Sequence, residues 1–282
     1  MHLEMSSDLT TASFLSVLRR FIGYRGVPAE IQSDNAKNFS GARNELKALY
    51  DLLNDPHNCS AFSKEPFHQG IKWQFIPPRA PNFGGLWEVA VRSVKTVLKK
   101  EVGLQQLSYE NFTTLLVQIT ATLNSRPLSP LSDDPTEFEV LTPAHFLIGS
   151  TMKSLPEPNL MTVSTNRLDH YQQTQQMFQR FWQRWSKQYL TQLQVTTTNL
   201  PISPIQIGGI VVLREDNLPP LCWPLARIIS LHPGFDGIAR VVTVKTATGV
   251  YKRAVNRICP LPNNNEDQRV PRSSMIPAIL NS

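Results

Sequence analysis

The stretch LWEVAVRSVKTVLKK, residues 86–100, decides how the first half of the chain is read. Its pattern predicts a helix from about 86 to 101, entered directly after Pro81-Asn82-Phe83-Gly84-Gly85. Glu88 falls in the first turn. Arg92, Lys95 and Lys99 follow it by four, seven and eleven residues, which puts all four on one helix face. The plain account of Glu88 is dipole stabilisation of a helix start plus i,i+4 pairing with Arg92. An acid heading a basic stripe also suits a metal-binding carboxylate with a DNA backbone alongside. Two carboxylates that hold divalent cations can activate a water or a 3′-hydroxyl for phosphodiester attack.

Upstream, residues 9–24 form an amphipathic pattern with Phe14, Leu15, Leu18, Phe21 and Ile22 on one face. Thr10 or Thr11 is its N-cap, and Gly26 and Pro28 end it. Residues 2–5 are expected to form a short strand. Glu30–Ser33 is a second strand with Asp34 at its carboxyl tip, followed by a helix over 41–53 and a strand over Lys72–Ile76. A further helix over 108–124 stops at Arg126-Pro127. Strands alternating with helices predict an α/β layer fold. Asp34 sits where α/β sheets place ligand sites, although an Asp there also serves as a turn cap. Asn35 beside it can hold a loop or a phosphate by hydrogen bonds.

Downstream, residues 127–165 are Pro-rich and read as an irregular linker. Residues 166–194 read as a long helix, with Tyr171, Phe178, Trp182, Trp185 and Tyr189 at helical spacing as a core-facing stripe. Pro201 and Pro204 break the chain. Short strands are expected at Ile207–Leu213, Leu225–Leu231, Ile238–Thr246 and Val250–Val255, with turns at Pro233-Gly234, Asp236-Gly237 and Thr248-Gly249. They predict a small barrel or curled sheet. Residues 263–282 read as a disordered tail.

Apolar residues make up 41% of the 282-residue chain, enough for packed domains and too many for a disordered protein. The start, MHLEMSSDLTTASF, lacks the features of a signal peptide, and no apolar run approaches membrane-spanning length, so neither secretion nor a membrane is expected. The three cysteines, Cys59, Cys222 and Cys259, are scattered and read as free thiols rather than a disulfide framework or zinc module. Charge is divided unevenly. Residues 1–166 are close to neutral, whereas 167–257 carry eleven Lys and Arg against Asp169, Glu215, Asp216 and Asp236. That half is a candidate polyanion binder.

Several segments match a known family. SDNAKNF (33–39), IPPRAPNFGGLWEVAV (76–91), LNSRPLSPL (123–131) and LTPAHFLIG (141–149) closely resemble integrases of BEL/Pao-type LTR retrotransposons. FWQRWSKQYL (181–190), GGIVVLRED (208–216), WPLARIISLHPGFDGIARVVTVKTATGVYKR (223–253) and ICPLP (258–262) resemble the module that follows the integrase core in those polyproteins. The resemblance runs over about residues 1–262, with the motifs in the family's order.

It implies a ribonuclease H-like core in which Asp, Asp and Glu bind Mg²⁺ or Mn²⁺, trim the 3′ ends of element DNA and join them to target DNA. Asp34 matches the second acid and Glu88 the third. Lys95 matches a lysine that touches element-end DNA. Pro81–Gly85 matches the mobile loop before the third acid, and Arg79, Asn82, Asn35, Arg92 and Lys99 are the accompanying candidate DNA contacts. The following module resembles the small DNA-binding barrel of integrase C-termini, with Arg227, Arg240, Lys245, Lys252 and Arg253 as its basic surface.

The family's first acid precedes a segment like His2–Glu4. The expectation is therefore a partial core at 1–126, without its first two strands, first acid and zinc-binding N-terminal module. A linker at 127–165 and a helix-plus-barrel module at 166–262 complete the expected layout. Glu4 and Asp8 lie near the wrong end of a different strand to stand in for the first acid. The expected partners are DNA and further copies of the chain, with a nuclear location and no small-molecule substrate. A non-catalytic DNA-binding or interaction protein derived from an integrase is the rival reading, and a plain ribonuclease H-type nuclease is disfavoured by the long Pro-rich linker and the basic β module.

Overall fold

The computed structural model describes residues 1–53, 70–77, 85–103, 105–132, 137–198 and 205–262, with backbone alone for 85–90 and 195–198. The expected tail at 263–282, the breaks at Pro201 and Pro204, and Arg79 and Asn82 lie outside the described residues. The chain divides into two compact units, Glu4–Ser93 and Met1–Leu3 with Val94–Ser282.

The smaller unit contains α1 (Thr11–Arg25), β1 (Glu30–Ser33), α2 (Lys37–Leu53), β2 (Lys72–Phe75) and the start of α3 (Gly85–Val102). Thr10 caps α1 by accepting from Ser13 N, and Gly26, at φ 82°, closes it with an N–H to Ile22 O. β1 and β2 pair in parallel, Glu30 opposite Lys72 and Ser33 opposite Phe75, which makes β1–α2–β2 a βαβ unit. Phe14 meets Phe39 edge-on at 4.8 Å and Trp73 at 5.9 Å, joining both helices to β2.

Two expectations fail in this unit. α2 starts at Lys37 rather than 41 because Gly41 is a packing residue, not a boundary. A Cβ there would sit 2.3 Å from Thr11 Oγ1, so only glycine permits this approach of α1. Residues 2–5 form no strand. Glu4 instead accepts from Arg20 Nε at 2.5 Å, and Arg20 Nη2 donates to Met5 O. Asp8 accepts from Thr10 N and Oγ1, hydrogen bonds that hold its carboxyl below the usual range.

The larger unit holds the end of α3, then α4 (Tyr109–Ser125), the short pair β3 (Ser129–Pro130) and β4 (Val140–Leu141), and α5 (His145–Ile148). It continues with α6 (His170–Thr198) and β5 (Ile210–Leu213), β6 (Leu225–Pro233), β7 (Ala239–Thr246), β8 (Gly249–Ala254) and β9 (Ile258–Pro260). Val94, Val97, Leu115, Ile119 and Leu123 pack against Met177, Phe178, Phe181 and Trp185. The aromatic stripe is core, as its spacing predicts, with Phe178, Trp182 and Trp185 buried; Tyr171, in the first turn of α6, is 66% exposed.

The five-stranded sheet runs β8-β7-β6-β5-β9, antiparallel throughout. β8 and β9 do not pair among the described residues, so the sheet is open and not a closed barrel. β9 escaped the sequence reading. It is three residues long and ends in Pro260, which an edge strand tolerates because no N–H is needed there. One face of the sheet buries Val211, Leu213, Ala226, Ile228, Val242 and Val244. On the other face, Ile210, Val212 and Cys259 are covered by Leu190 of α6 and by Val140.

Residues 127–165 are not a free tether. β3 pairs with β4, and Ala144 N donates to Asn124 O. A row of glutamines on α6 fixes the rest. Gln176 Nε2 donates to Leu160 O and Val163 O, both at 2.7 Å, while Gln179 donates to Pro158 O and accepts from Leu160 N. Gln176 and Gln179 are both buried, and their amides satisfy loop backbone.

Tyr189 stacks on Trp185 at 5.5 Å and donates to Pro127 O. Burial pushes its phenol up to about 12, against the opposing pull of the Arg126 guanidinium, and burial likewise pushes the Cys259 thiol up to about 12. Raised folded-state values mean stability that is present below the unfolded values and lost as pH rises through the folded ones. Urea denaturation followed from pH 9 to 12 should show a continuous fall in stability. Tyr189→Phe should flatten the part above about pH 10, where an unfolded tyrosine ionises.

Candidate nucleic-acid interface

Asp34 leaves the carboxyl end of β1 and is exposed. Its Oδ1 accepts from Ala36 N at 3.0 Å, an Asx-type turn that leads into α2. The Asn35 amide donates to Ile76 O at 2.9 Å, so it holds the ends of the β1–β2 pair together and is not turned outward. Buried Ser33 receives the Trp73 indole N–H at 2.9 Å. The contacts of Asp34 are those of a turn cap, with one carboxylate oxygen engaged in the turn.

No group of three or more His, Cys, Asp or Glu able to hold a metal ion occurs among the described residues. A hard divalent cation takes most of its ligands from several oxygens, and Asp34 alone does not supply them. The described residues therefore do not by themselves fit a resident Mg²⁺ or Mn²⁺. Glu88 lies in the first turn of α3, but its side chain is outside the described set. Further along α3, Arg92, Lys95 and Lys99 are exposed while Val94 and Val97 are buried, so the three cations point away from the core.

The structure sorts the five expected cations of the β module into three kinds. Arg227 is a correction: it is 8% exposed and cannot form part of a basic surface. Its Nη1 donates to Gly208 O at 2.7 Å and its Nη2 to Glu137 O at 3.0 Å, tying loop backbone to β6. Arg240 is held by both carboxylate oxygens of Asp236, and Arg253 pairs with Glu215 at 3.1 Å while lying over the Tyr251 ring. Lys245 and Lys252 are exposed and form no salt bridge among the described residues.

The register explains their company. Thr243 pairs with Lys252 across β7–β8 and Lys245 with Val250, so both lysines share the face that carries Val241 and Thr243. Lys245 and Lys252 are diagonal neighbours on that face, about 7–8 Å apart at Cα. Ser230 and His232 of β6 extend the same face, and His232 Nε2 and Thr243 Oγ1 lie 2.6 Å apart. The result is an exposed antiparallel surface with two ammonium groups, hydroxyls and an imidazole, suited to phosphate oxygens. His232, Thr243 and Ser230 were not singled out from sequence. Alternation along β7 carried the signal, because Val242 and Val244 inward forces Thr243 and Lys245 outward.

Residues 169–261, which include α6 and the whole five-stranded sheet, match a family of unknown function, DUF5641. No curated protein matches the chain.

The contrast between Arg227 and Lys245 is measurable. Arg227→Ala leaves two carbonyls without their donor, and each lost partner of this kind costs about 1–3 kcal/mol. Urea unfolding should show a loss of roughly 2–4 kcal/mol. Lys245→Ala should stay within about 0.5 kcal/mol, as surface changes do.

Proposed function

We propose that the chain is a nucleic-acid-binding protein of integrase descent, whose phosphate contacts come from the Lys245–Lys252 face and from the α3 stripe. The observation that carries this reading is the pair of exposed lysines without acid partners on a hydroxyl-bearing sheet face. They belong to the half of the chain where eleven Lys and Arg face four acids. Carboxylates offset Arg240, Arg253, Lys187 and Arg257, which focuses the remaining charge on few positions.

The resemblance to BEL/Pao-type integrases supplies the rest. In the intact parent, the activity is metal-dependent polynucleotidyl transfer: 3′-end processing, then strand transfer into target DNA. Asp34 and Glu88 are the candidates for two of its three acids, and with a third they would hold Mg²⁺ or Mn²⁺. Asp34 leaves the carboxyl end of a parallel strand and Glu88 sits in the first turn of a helix, positions that agree with this role. The family's full chemistry needs three acids, of which Asp34 and Glu88 are the two candidates here, so the reading proposed from the described residues is binding. Self-association and a nuclear location follow from the same reading. No helix among the described residues is long and apolar enough to cross a membrane.

Binding is expected to be electrostatic. Anisotropy titrations on duplex DNA over a range of salt should give a log–log slope of about −0.9 per neutralised phosphate. Lys245→Ala with Lys252→Ala should reduce the magnitude of that slope by about 2. Affinity that is flat in salt refutes the reading. For the transfer activity, a chain extended upstream to supply a third acid should join strands with Mn²⁺, and Glu88→Gln should abolish it there. If the extended chain binds DNA and transfers nothing, the non-catalytic reading holds alone.

A further inference from the structure

Phe235 stands at the tip of the hairpin joining β6 to β7 and is fully exposed, at 116% of its reference area. Ile238 beside it is 57% exposed. Turns of this kind call for Gly, Asp or Asn, and Gly234, Asp236 and Gly237 supply that chemistry. Nothing in the turn needs an aromatic ring.

The tip is also tightly built. Gly234 N donates to Ile238 O and Gly237 N to Gly234 O, both at 3.0 Å, with Gly237 at φ 74°. Asp236 clamps the base of the turn: its Oδ1 accepts from Ile238 N at 3.2 Å and from Arg240 Nη1 at 2.9 Å, and its Oδ2 from Arg240 Nη2 at 2.6 Å. A loop ordered in advance presents its ring with little entropy left to lose on binding.

We propose that Phe235 is a base-stacking residue, taking an unstacked nucleobase at a DNA strand end or in a single-stranded stretch while Lys252 and Lys245 hold phosphates a few nucleotides further along the strand. This rests on the nucleic-acid reading above. The lysines give the partner its chemistry. Lys252 pairs with Thr243, four residues from Ala239 at the root of the hairpin, and Lys245 lies six residues from it. At about 3.3–3.4 Å per residue, that places the cations roughly 13 and 20 Å from the hairpin root. A polynucleotide running along the hairpin meets the ring first and the ammonium groups a few nucleotides later. An anionic membrane into which the tip dips upright would leave both lysines beyond the Debye length of about 8–10 Å. A ring on a convex tip can reach a base face only where the stack is already open, which favours ends and single strands over continuous duplex.

The test compares two probes in anisotropy: a duplex with a single-stranded overhang carrying 2-aminopurine, and a covalently closed circular duplex. Phe235→Ala should weaken overhang binding about tenfold and release the 2-aminopurine from stacking, while binding to the closed circle is unchanged. Phe235→Trp should restore both readouts. The exposed site predicts unchanged thermal unfolding in both variants. Equal losses on the two probes, or no loss on either, overturn the stacking role. So does Phe235-dependent binding to phosphatidylserine vesicles with overhang affinity untouched. Lys245→Ala with Lys252→Ala separates the two readings. If it weakens both probes while Phe235→Ala does nothing, only the stacking role fails. If it weakens neither, the nucleic-acid reading itself fails.

Discussion

The larger unit depends on Trp223. Its ring meets Trp182 at 4.9 Å, Tyr189 at 5.7 Å and Trp185 at 6.3 Å, each edge-on, and its indole N–H donates to Ser125 Oγ at 3.1 Å. One side chain from the segment before β6 thereby grips the end of α4 and three successive turns of α6. Trp223 is half-buried, and edge-to-face aromatic pairs of this kind contribute about 0.5–1.5 kcal/mol each beyond burial. The helix pair and the sheet also meet through Leu190 and Leu193 over the β5–β9 half, through Gln194, which donates to Asn256 O and Ile258 O, and through the Lys187–Asp216 ion pair. On that face the covered half lies at β5 and β9, and the β7–β8 half stays open to solvent.

That division decides which charges can act. The acids of the β module are few and nearly all engaged. Asp216 takes Lys187 at 3.2 Å and Arg257 at 3.5 Å, and its carboxyl is held below the usual range, first by the hydrogen bond and charge of Lys187 and then by Arg257. Each such pair is exposed and contributes little stability. Their effect is on where positive potential remains. A protein with the same net charge spread evenly would attract polyanions weakly everywhere, whereas here the unbalanced ammonium groups fall on one flat face. Arg227 shows the opposite outcome. It stands opposite Lys245 in register, yet loop carbonyls from Gly208 and Glu137 capture it at the covered end of the sheet.

Periodicity made most of the secondary structure legible. α3, α4 and α6 announce themselves because their apolar residues recur at helical spacing, and β6, β7 and β8 because Gly turns separate alternating runs. The misses have physical reasons. A helix start at Gly41 misplaces the boundary, because that glycine serves the close approach of Thr11, and nothing in the periodicity marks Gln176 and Gln179 as the side chains that satisfy buried loop carbonyls. The segment 127–165 reads as a tether because Pro-rich sequence lacks periodicity, although its backbone is bound from outside by Gln side chains and by Asn124. The exposure of a side chain such as Arg227 depends on what a distant loop brings to it, and no local pattern carries that. Asp34 is legible as a strand-end acid with a turn cap as its plain reading, and the turn is what the hydrogen bond it accepts from Ala36 N forms.

Binding and any cutting chemistry stand on unequal supports. The larger unit has several separate buried clusters, a sheet of five strands and a long helix, so it can fix Lys245, Lys252 and Phe235 in place by itself. Among the described residues of the smaller unit, the fully buried apolar side chains are Leu18, Ala42 and Ile76, and its sheet is two four-residue parallel strands. Parallel sheets are ordinarily covered on both faces, and fewer than three strands seldom hold alone. Among the described residues, Asp34 is placed by the β1–β2 pairing, the Phe14–Phe39–Trp73 contacts, the Trp73–Ser33 bond and the Asn35–Ile76 link. Catalysis tolerates little looseness, since acids must be held within fractions of an ångström, whereas phosphate attraction tolerates much. Under the nucleic-acid reading proposed above, the tolerant task would fall to the unit whose described core is thicker, and the exacting one to the unit whose described core is thinner.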